Sequence, residues 1–277
     1  MRRIILAGFL VFFQAASDPA VRLRETTAAI SSGASTMERR TAIFDKLKAA
    51  GVEFHVEEFM QGTRTGVNIV VSLPAKPESK TLLLGAHYDR VARGQGAVDN
   101  AASCAVLLEL IARLKSKPLT NEAVIVVFFD LEELGLVGSR SYFQAHSASA
   151  LPAYAMNFDI FGYGETFFVA PSNANGPLLA DLKQAASESG FAVRSFPMAQ
   201  YPSSDHRSMA SAGIETLGMT LIDGSEIDSI MSPGPARSRI LSLIHTDADT
   251  IEQIREQDMA KAIPVLERTI RLLDAIP

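Results

Sequence analysis

Residues Thr81–Phe129 read TLLLGAHYDRVARGQGAVDNAASCAVLLELIARLKSKPLTNEAVIVVFF, and this stretch decides the fold. Thr81 to His87 is an apolar run of strand length. From Asn100 to Leu114, Val106, Leu107, Leu110, Ile111 and Leu114 recur at helical spacing. Val124 to Phe129 is then an unbroken apolar run, the pattern of a strand buried on both faces. A strand, a helix and a buried strand in succession form a crossover unit whose two strands lie parallel.

Outward from this unit the alternation continues. Downstream, Gly135–Ala145 and Pro177–Ser189 read as helices. Ala153–Phe158, Thr166–Ala170, Phe191–Ser195 and Ile214–Leu221 read as strands. The tail from Thr250 to about Ile276 reads as a helix interrupted near Pro264. Upstream, Ser35-Thr36-Met37-Glu38 is a capping box, and the helix it opens carries Ile43, Phe44 and Leu47 until Gly51. Val52–Phe59 and Val67–Leu73 read as strands joined by a short turn, hence an antiparallel pair at the sheet's edge. His55 in the first of them reads as an exposed residue. The expected fold is α/β: a single three-layer domain with a mostly parallel twisted sheet, an antiparallel edge and helices on both faces.

The amino terminus differs. Met1-Arg2-Arg3 is basic, Ile4 to Phe13 is apolar, and Gln14-Ala15-Ala16-Ser17 is a small-residue stretch. This predicts a signal peptide over residues 1–17 and a catalytic domain over 20–277, with the mature protein secreted or periplasmic. Removing two arginines would take the net charge from -5 to -7. No other stretch is apolar for long enough to span a bilayer. The acidic balance gives no polybasic surface for nucleic acid. Cys104 has no internal partner and falls on the apolar face of a helix, where a buried inert thiol is expected. Nothing in the sequence fixes an oligomeric state.

Five residues of metal-ligand type close five apolar runs: His87, Asp99, Glu133, Asp159 and His245. Singly, each has a bland reading. Asp99 is placed to cap a helix, Glu133 sits in an acidic turn, and a lone His245 would more often be structural. Together they supply the imidazole and carboxylate donors that zinc takes. Ligands in such folds gather outside the carboxyl ends of the strands. His87, Glu133 and Asp159 each fall at such an end. Asp89 lies two residues after His87, on the same side of the chain, and is placed to hold the imidazole's second nitrogen. Glu132 stands beside Glu133, and adjacent side chains diverge, so one can ligate while the other faces a water.

The segments AHYD, GAVDNAAS, FFDLEELGLVGS, NFDIFG, SDH (Ser204 to His206) and HTDADT occur in the order found in the co-catalytic zinc exopeptidases. Over about residues 20–275 the chain resembles that family, which includes bacterial leucyl aminopeptidase and aminopeptidase Y. The resemblance implies removal of the N-terminal residue from peptides, with two zinc ions as cofactor. It implies that His87 and Glu133 hold one zinc and Asp159 and His245 the other, with Asp99 bridging. Glu132 is implied as general base and Asp89 as the orienter of His87. Asp205 and His206 match a segment near the substrate side and are not expected to be ligands. The chain departs from the family at Val98, often an acid, at Leu131, often glycine, and within Ala101–Cys104, where a glycine is usual; none of these positions supplies a ligand. Two other readings stand beside this one: a single-zinc glutaminyl-peptide cyclotransferase, whose relatives carry serine where Asn100 stands, and a non-catalytic binding protein of the same fold.

Overall fold

The structure is a computed structural model that describes residues 18–73, 75–76, 79–146, 148–232 and 238–275. The expected signal peptide lies outside the described residues. The strands are β1 (His55–Gln61), β2 (Arg64–Leu73), β3 (Lys80–His87), β4 (Glu122–Phe129), β5 (Tyr154–Phe158), β6 (Thr166–Pro171), β7 (Ala192–Ser195) and β8 (Glu215–Ile222). They form one sheet in the order β1-β2-β4-β3-β5-β8-β6-β7. The central run β4-β3-β5-β8 is parallel, as the crossover pattern predicts. β1 and β2 form the expected antiparallel edge, and β2 also runs antiparallel to β4. One reversal was not expected: β6 runs antiparallel to β8. The connection over 159–165 is too short to return the chain to the far end of the sheet, so β6 starts where β5 stops.

The strand period of two sorts side chains between two helical layers. Leu82, Leu84, Ala86, Val124, Val126 and Phe128 point into the larger core. That core is closed by α1 (Pro19–Ser31), α2 (Thr36–Ala49), α3 (Ala102–Ser116), α5 (Pro177–Glu188) and α9 (Glu256–Asp274). Leu83, Val127 and Phe129 face a smaller core under α4 (Val137–Ala145) and α6 (His206–Ser211). Burying each such leucine or phenylalanine contributes roughly 1.5–3 kcal/mol. Gly85 is required by this second layer, since a Cβ there would meet Met209 Cε at 2.6 Å and Phe129 Cε2 at 2.7 Å. Two short helices, α7 (Gly224–Met231) and α8 (Arg239–Leu243), follow β8.

Three local expectations are corrected. α1 was not anticipated; Asp18 caps it by accepting the Ala20 N–H, Pro19 opens it, and Ala20, Leu23, Thr27 and Ile30 form its buried stripe. α9 is not interrupted: Pro264 sits inside it on the exposed side. Flanking Ile263, Val265 and Leu266 are buried, and that packing outweighs the one backbone bond the proline removes. The regular part of α3 begins at Ala102 rather than Asn100. Residues Ala97–Ala101 form a wider turn in which Asp99 and Asn100 leave helical geometry. Among the described residues, no helix is long and apolar enough to cross a membrane.

Candidate metal centre

Because β4, β3 and β5 are parallel neighbours, their carboxyl ends place three short segments side by side. His87 ends β3, Glu132 and Glu133 follow β4 after a turn at Asp130-Leu131, and Asp159 follows β5. The turn before α3 brings Asp99 over them, and the segment after α8 brings His245, whose φ of 60° swings it toward the sheet. All of the expected ligand residues therefore meet at one edge.

Asp99 does not cap α3. One of its oxygens lies 3.2 Å from His87 Nε2 and the other 3.1 Å from His245 Nε2. His87 Nε2 is also 3.5 Å from Asp159 Oδ1, and His245 Nε2 is 3.1 Å from Glu133 Oε2. In these contacts His87 sits with Asp159, and His245 with Glu133, with Asp99 reaching both. Ligating atoms of His87, Asp99 and Glu133, and of His87, Glu132 and Asp159, lie within 4.8 Å of one another. Glu133 Oε1 and Asp159 Oδ1 are buried and accept no hydrogen bond. Buried carboxylate oxygens without a donor call for a cation.

Asp89 has a wider part than the one expected for it. Its Oδ1 lies 3.3 Å from His87 Nδ1, and its two oxygens accept the backbone N–H groups of Glu132 (3.0 Å) and Glu133 (3.1 Å). One carboxylate thus sets the histidine and both glutamates. Three further residues shape the site, of which the sequence marked Asn100 only as a point of difference from the cyclotransferases. Asp249 accepts the N–H groups of Val98 (2.8 Å) and Asp99 (3.2 Å), tying the Asp99 turn to the segment that carries His245. Asn100 donates to the Phe158 carbonyl and accepts from the Ile160 N–H, bracing both sides of Asp159. Arg39, fully buried, donates to the carbonyls of Tyr88, Gln95 and Gly96. The only sequence signal for Asp249 is its place in HTDADT; Arg39, inside a capped amphipathic helix, gives none.

The electrostatics follow from crowding acids in a buried cleft. Burial pushes the Glu132 carboxyl up to about 9; His87 opposes this, while Asp205, Asp159 and Asp99 add to it. Burial likewise raises Glu133 and lifts Asp205 to about 7. Burial disfavours the His87 imidazolium, but Glu132, Asp159, Asp89 and Asp99 outweigh it and raise that pKa well above its ordinary value. Hydrogen bonds to Asp99 and Glu133 raise His245 to about 10. Burial also opposes ionisation of Asp99, yet His245 and His87 hold its pKa below the usual carboxylate range. His206 stands apart: burial lowers it to about 3, and its ring packs edge-on against Tyr201.

Residues 68–269 match the model of peptidase family M28. The chain belongs to that family. It is 29% identical over 184 residues to aminopeptidase YwaD of Bacillus subtilis, covering 64% of this chain and 37% of that protein. The chain spans well under half the length of the first curated relatives it matches. The solved zinc aminopeptidase of Bacillus subtilis superposes over 76% of this chain and 51% of its own, with 25% identity and a TM-score of 0.65. The glutaminyl cyclase of an Acidobacteriales bacterium shares the fold over 99% of both chains, with 21% identity and a TM-score of 0.73.

Proposed function

We propose that this family M28 chain is a zinc aminopeptidase that uses two ions and the carboxylate of Glu132. The observation that carries the reading is the division of Asp99, with one oxygen toward each of two histidines and Glu133 and Asp159 beside them. Asp99, His87 and Asp159 would hold one ion, and Asp99, His245 and Glu133 the other. A mixed imidazole and carboxylate set suits zinc, and the donorless oxygens of Glu133 and Asp159 fit a cation. Bound there, the two ions would supply a lowered water pKa and polarisation of the scissile carbonyl.

The chain's own residues do the rest. Glu132, close to His87 and Asp159, accepts a proton from the attacking water and returns it to the leaving amine. Asp89 fixes Glu132 through its backbone and keeps the His87 ring oriented. The acids Asp99, Glu133 and Asp159 make an electronegative rim that favours a substrate ammonium. Export of the chain is supported by the pattern of Met1 to Ser17.

A second reading, glutaminyl cyclisation, draws on the end-to-end likeness to the glutaminyl cyclase fold. Against it, Asn100 is the side chain that braces Phe158 and Ile160, a span a serine could not cover. One assay separates the readings. Purified protein is given leucyl-p-nitroanilide, its N-acetyl analogue and a peptide beginning with glutamine, with and without a chelator. The aminopeptidase reading expects chelator-sensitive release from the free amine, much slower release from the acetylated substrate, and about two zinc ions per chain. Ammonia release from the glutamine peptide with its chain left intact would assign the cyclase instead.

A further inference from the structure

A second group of metal-ligand side chains lies at the sheet's edge and shares no residue with the centre described above. His55 and Glu57 stand two apart in β1, so both project from one face of the strand. α4 packs against β1, and His146 ends that helix as its C-cap. His55 Nε2 lies 3.4 Å and His146 Nε2 3.5 Å from the same oxygen, Glu57 Oε1. Among the described residues, no lysine or arginine pairs with Glu57, which leaves its charge to the two imidazoles.

Two features set this group apart from ordinary surface ion pairs. The first is spacing. A charge-assisted hydrogen bond between such groups closes to about 2.7–2.9 Å, and both contacts are longer. Zinc bonds of about 2.0–2.2 Å, set at tetrahedral angles, hold nitrogen and oxygen ligands roughly 3.3–3.6 Å apart, a range that contains both contacts. The second is the tautomer of His146. Its Nδ1 lies 2.8 Å from the Tyr142 carbonyl, which can only accept, so Nδ1 carries a proton. In the neutral ring the Nε2 lone pair then faces the Glu57 carboxylate, and a cation between them removes the repulsion. A ring N–H given to a backbone carbonyl is the usual way a metal-binding imidazole is oriented. The Tyr142 ring, 4.2 Å away between centroids, steadies it further.

The side chains of His55, His146 and Glu57 are 59%, 30% and 25% exposed, so an ion can enter and water can complete its shell. His55, the most exposed, has room to turn onto the ion.

We infer that His55, Glu57 and His146 form a peripheral site for a divalent cation of the zinc type, which clamps the β1–β2 hairpin to the end of α4. The inference does not rest on the proposed function.

The test is zinc uptake by the unaltered protein and by His55→Ala, Glu57→Gln and His146→Gln, each equilibrated against the same series of buffered free-zinc concentrations. The unaltered protein should bind one zinc per chain that each variant lacks. Removing a ligand should cost at least the roughly 10–100-fold in affinity that loss of a supporting partner costs. The melting temperature of the unaltered protein should rise as that zinc binds, and the variants' should not. Magnesium should reproduce neither effect, because imidazole suits transition metals. The substitutions are made singly, so a folding defect in one, seen by circular dichroism, leaves two to read. Zinc uptake equal to that of the unaltered protein in any folded variant overturns the inference.

Discussion

Glu132 and Asp249 each adjoin the proposed ligands, and their substitutions should separate turnover from metal affinity. In Glu132→Gln the carboxamide keeps the shape but cannot take a proton. Zinc content should hold while kcat drops by about 10²–10⁴-fold, measured by zinc analysis and leucyl-p-nitroanilide kinetics. Near-normal kcat with full zinc would place the base elsewhere. Asp249→Ala does the reverse. It leaves every ligand in place but strips the acceptor from the Val98 and Asp99 N–H groups. Loss of such a supporting partner costs about 10–100-fold in metal affinity, and a competitive zinc titration should show that range. Identical affinity would mean that the Asp99 turn is rigid without it. At this scale the candidate ligands were legible because each is a polar residue closing an apolar run. Their pairing was not, since it depends on which oxygen of Asp99 faces which histidine. Arg39 was hidden for a different reason: a helix beginning with a capping box gives every arginine the look of a surface residue.

The join between β4 and α4 holds the turn that carries Glu132 and Glu133, and it has no room to spare. Gly138 lies in the first turn of α4, and a Cβ on it would meet the Asp130 carbonyl oxygen at 2.1 Å and Asn68 Oδ1 at 2.7 Å. The Gly138 N–H donates to that same Asp130 carbonyl, and its own carbonyl accepts from Asn68. Gly138→Ala must push the helix off the strand end, because the obstruction is backbone. We expect a loss of about 1–3 kcal/mol in urea unfolding, with kcat falling as Glu132 and Glu133 shift. A stability change under 0.5 kcal/mol would show that the turn has more slack than its contacts imply, the usual range for a neutral surface change. The strands were legible because each is an apolar run between turn signals. α6, α7 and α8 were not, each being too short to display a period. The antiparallel β6 was missed because direction is set by connection length, which the apolar pattern does not carry.

Taken over the whole chain, the fold concentrates acid where its parallel strands end, and that predicts a pH dependence of stability that bound zinc would change. Glu132 (about 9), Asp205 (about 7) and His245 (about 10) all hold protons more tightly when folded than at their ordinary 4.5, 3.8 and 6.5. His87 and Glu133 are raised in the same sense. A raised folded pKa contributes stability that is fully present below the ordinary value and is lost as pH rises through the folded value. Asp99 has the opposite sign, but its window lies below 3.8 and does not touch neutral pH. In chelator, then, the melting temperature should fall steadily from pH 6 to pH 9. Zinc bound there would supply positive charge in place of the protons and favour the ionised carboxylates. Zinc at 100 times its Kd should add about 2.7 kcal/mol to stability. It should also flatten the pH profile, because affinity rises as protons leave the ligands. Thermal melts at pH 6, 7, 8 and 9, with and without zinc, read both effects. Parallel curves, offset by the same amount at every pH, would mean that these groups do not share their protons with the metal, and would remove the electrostatic ground for placing it among them.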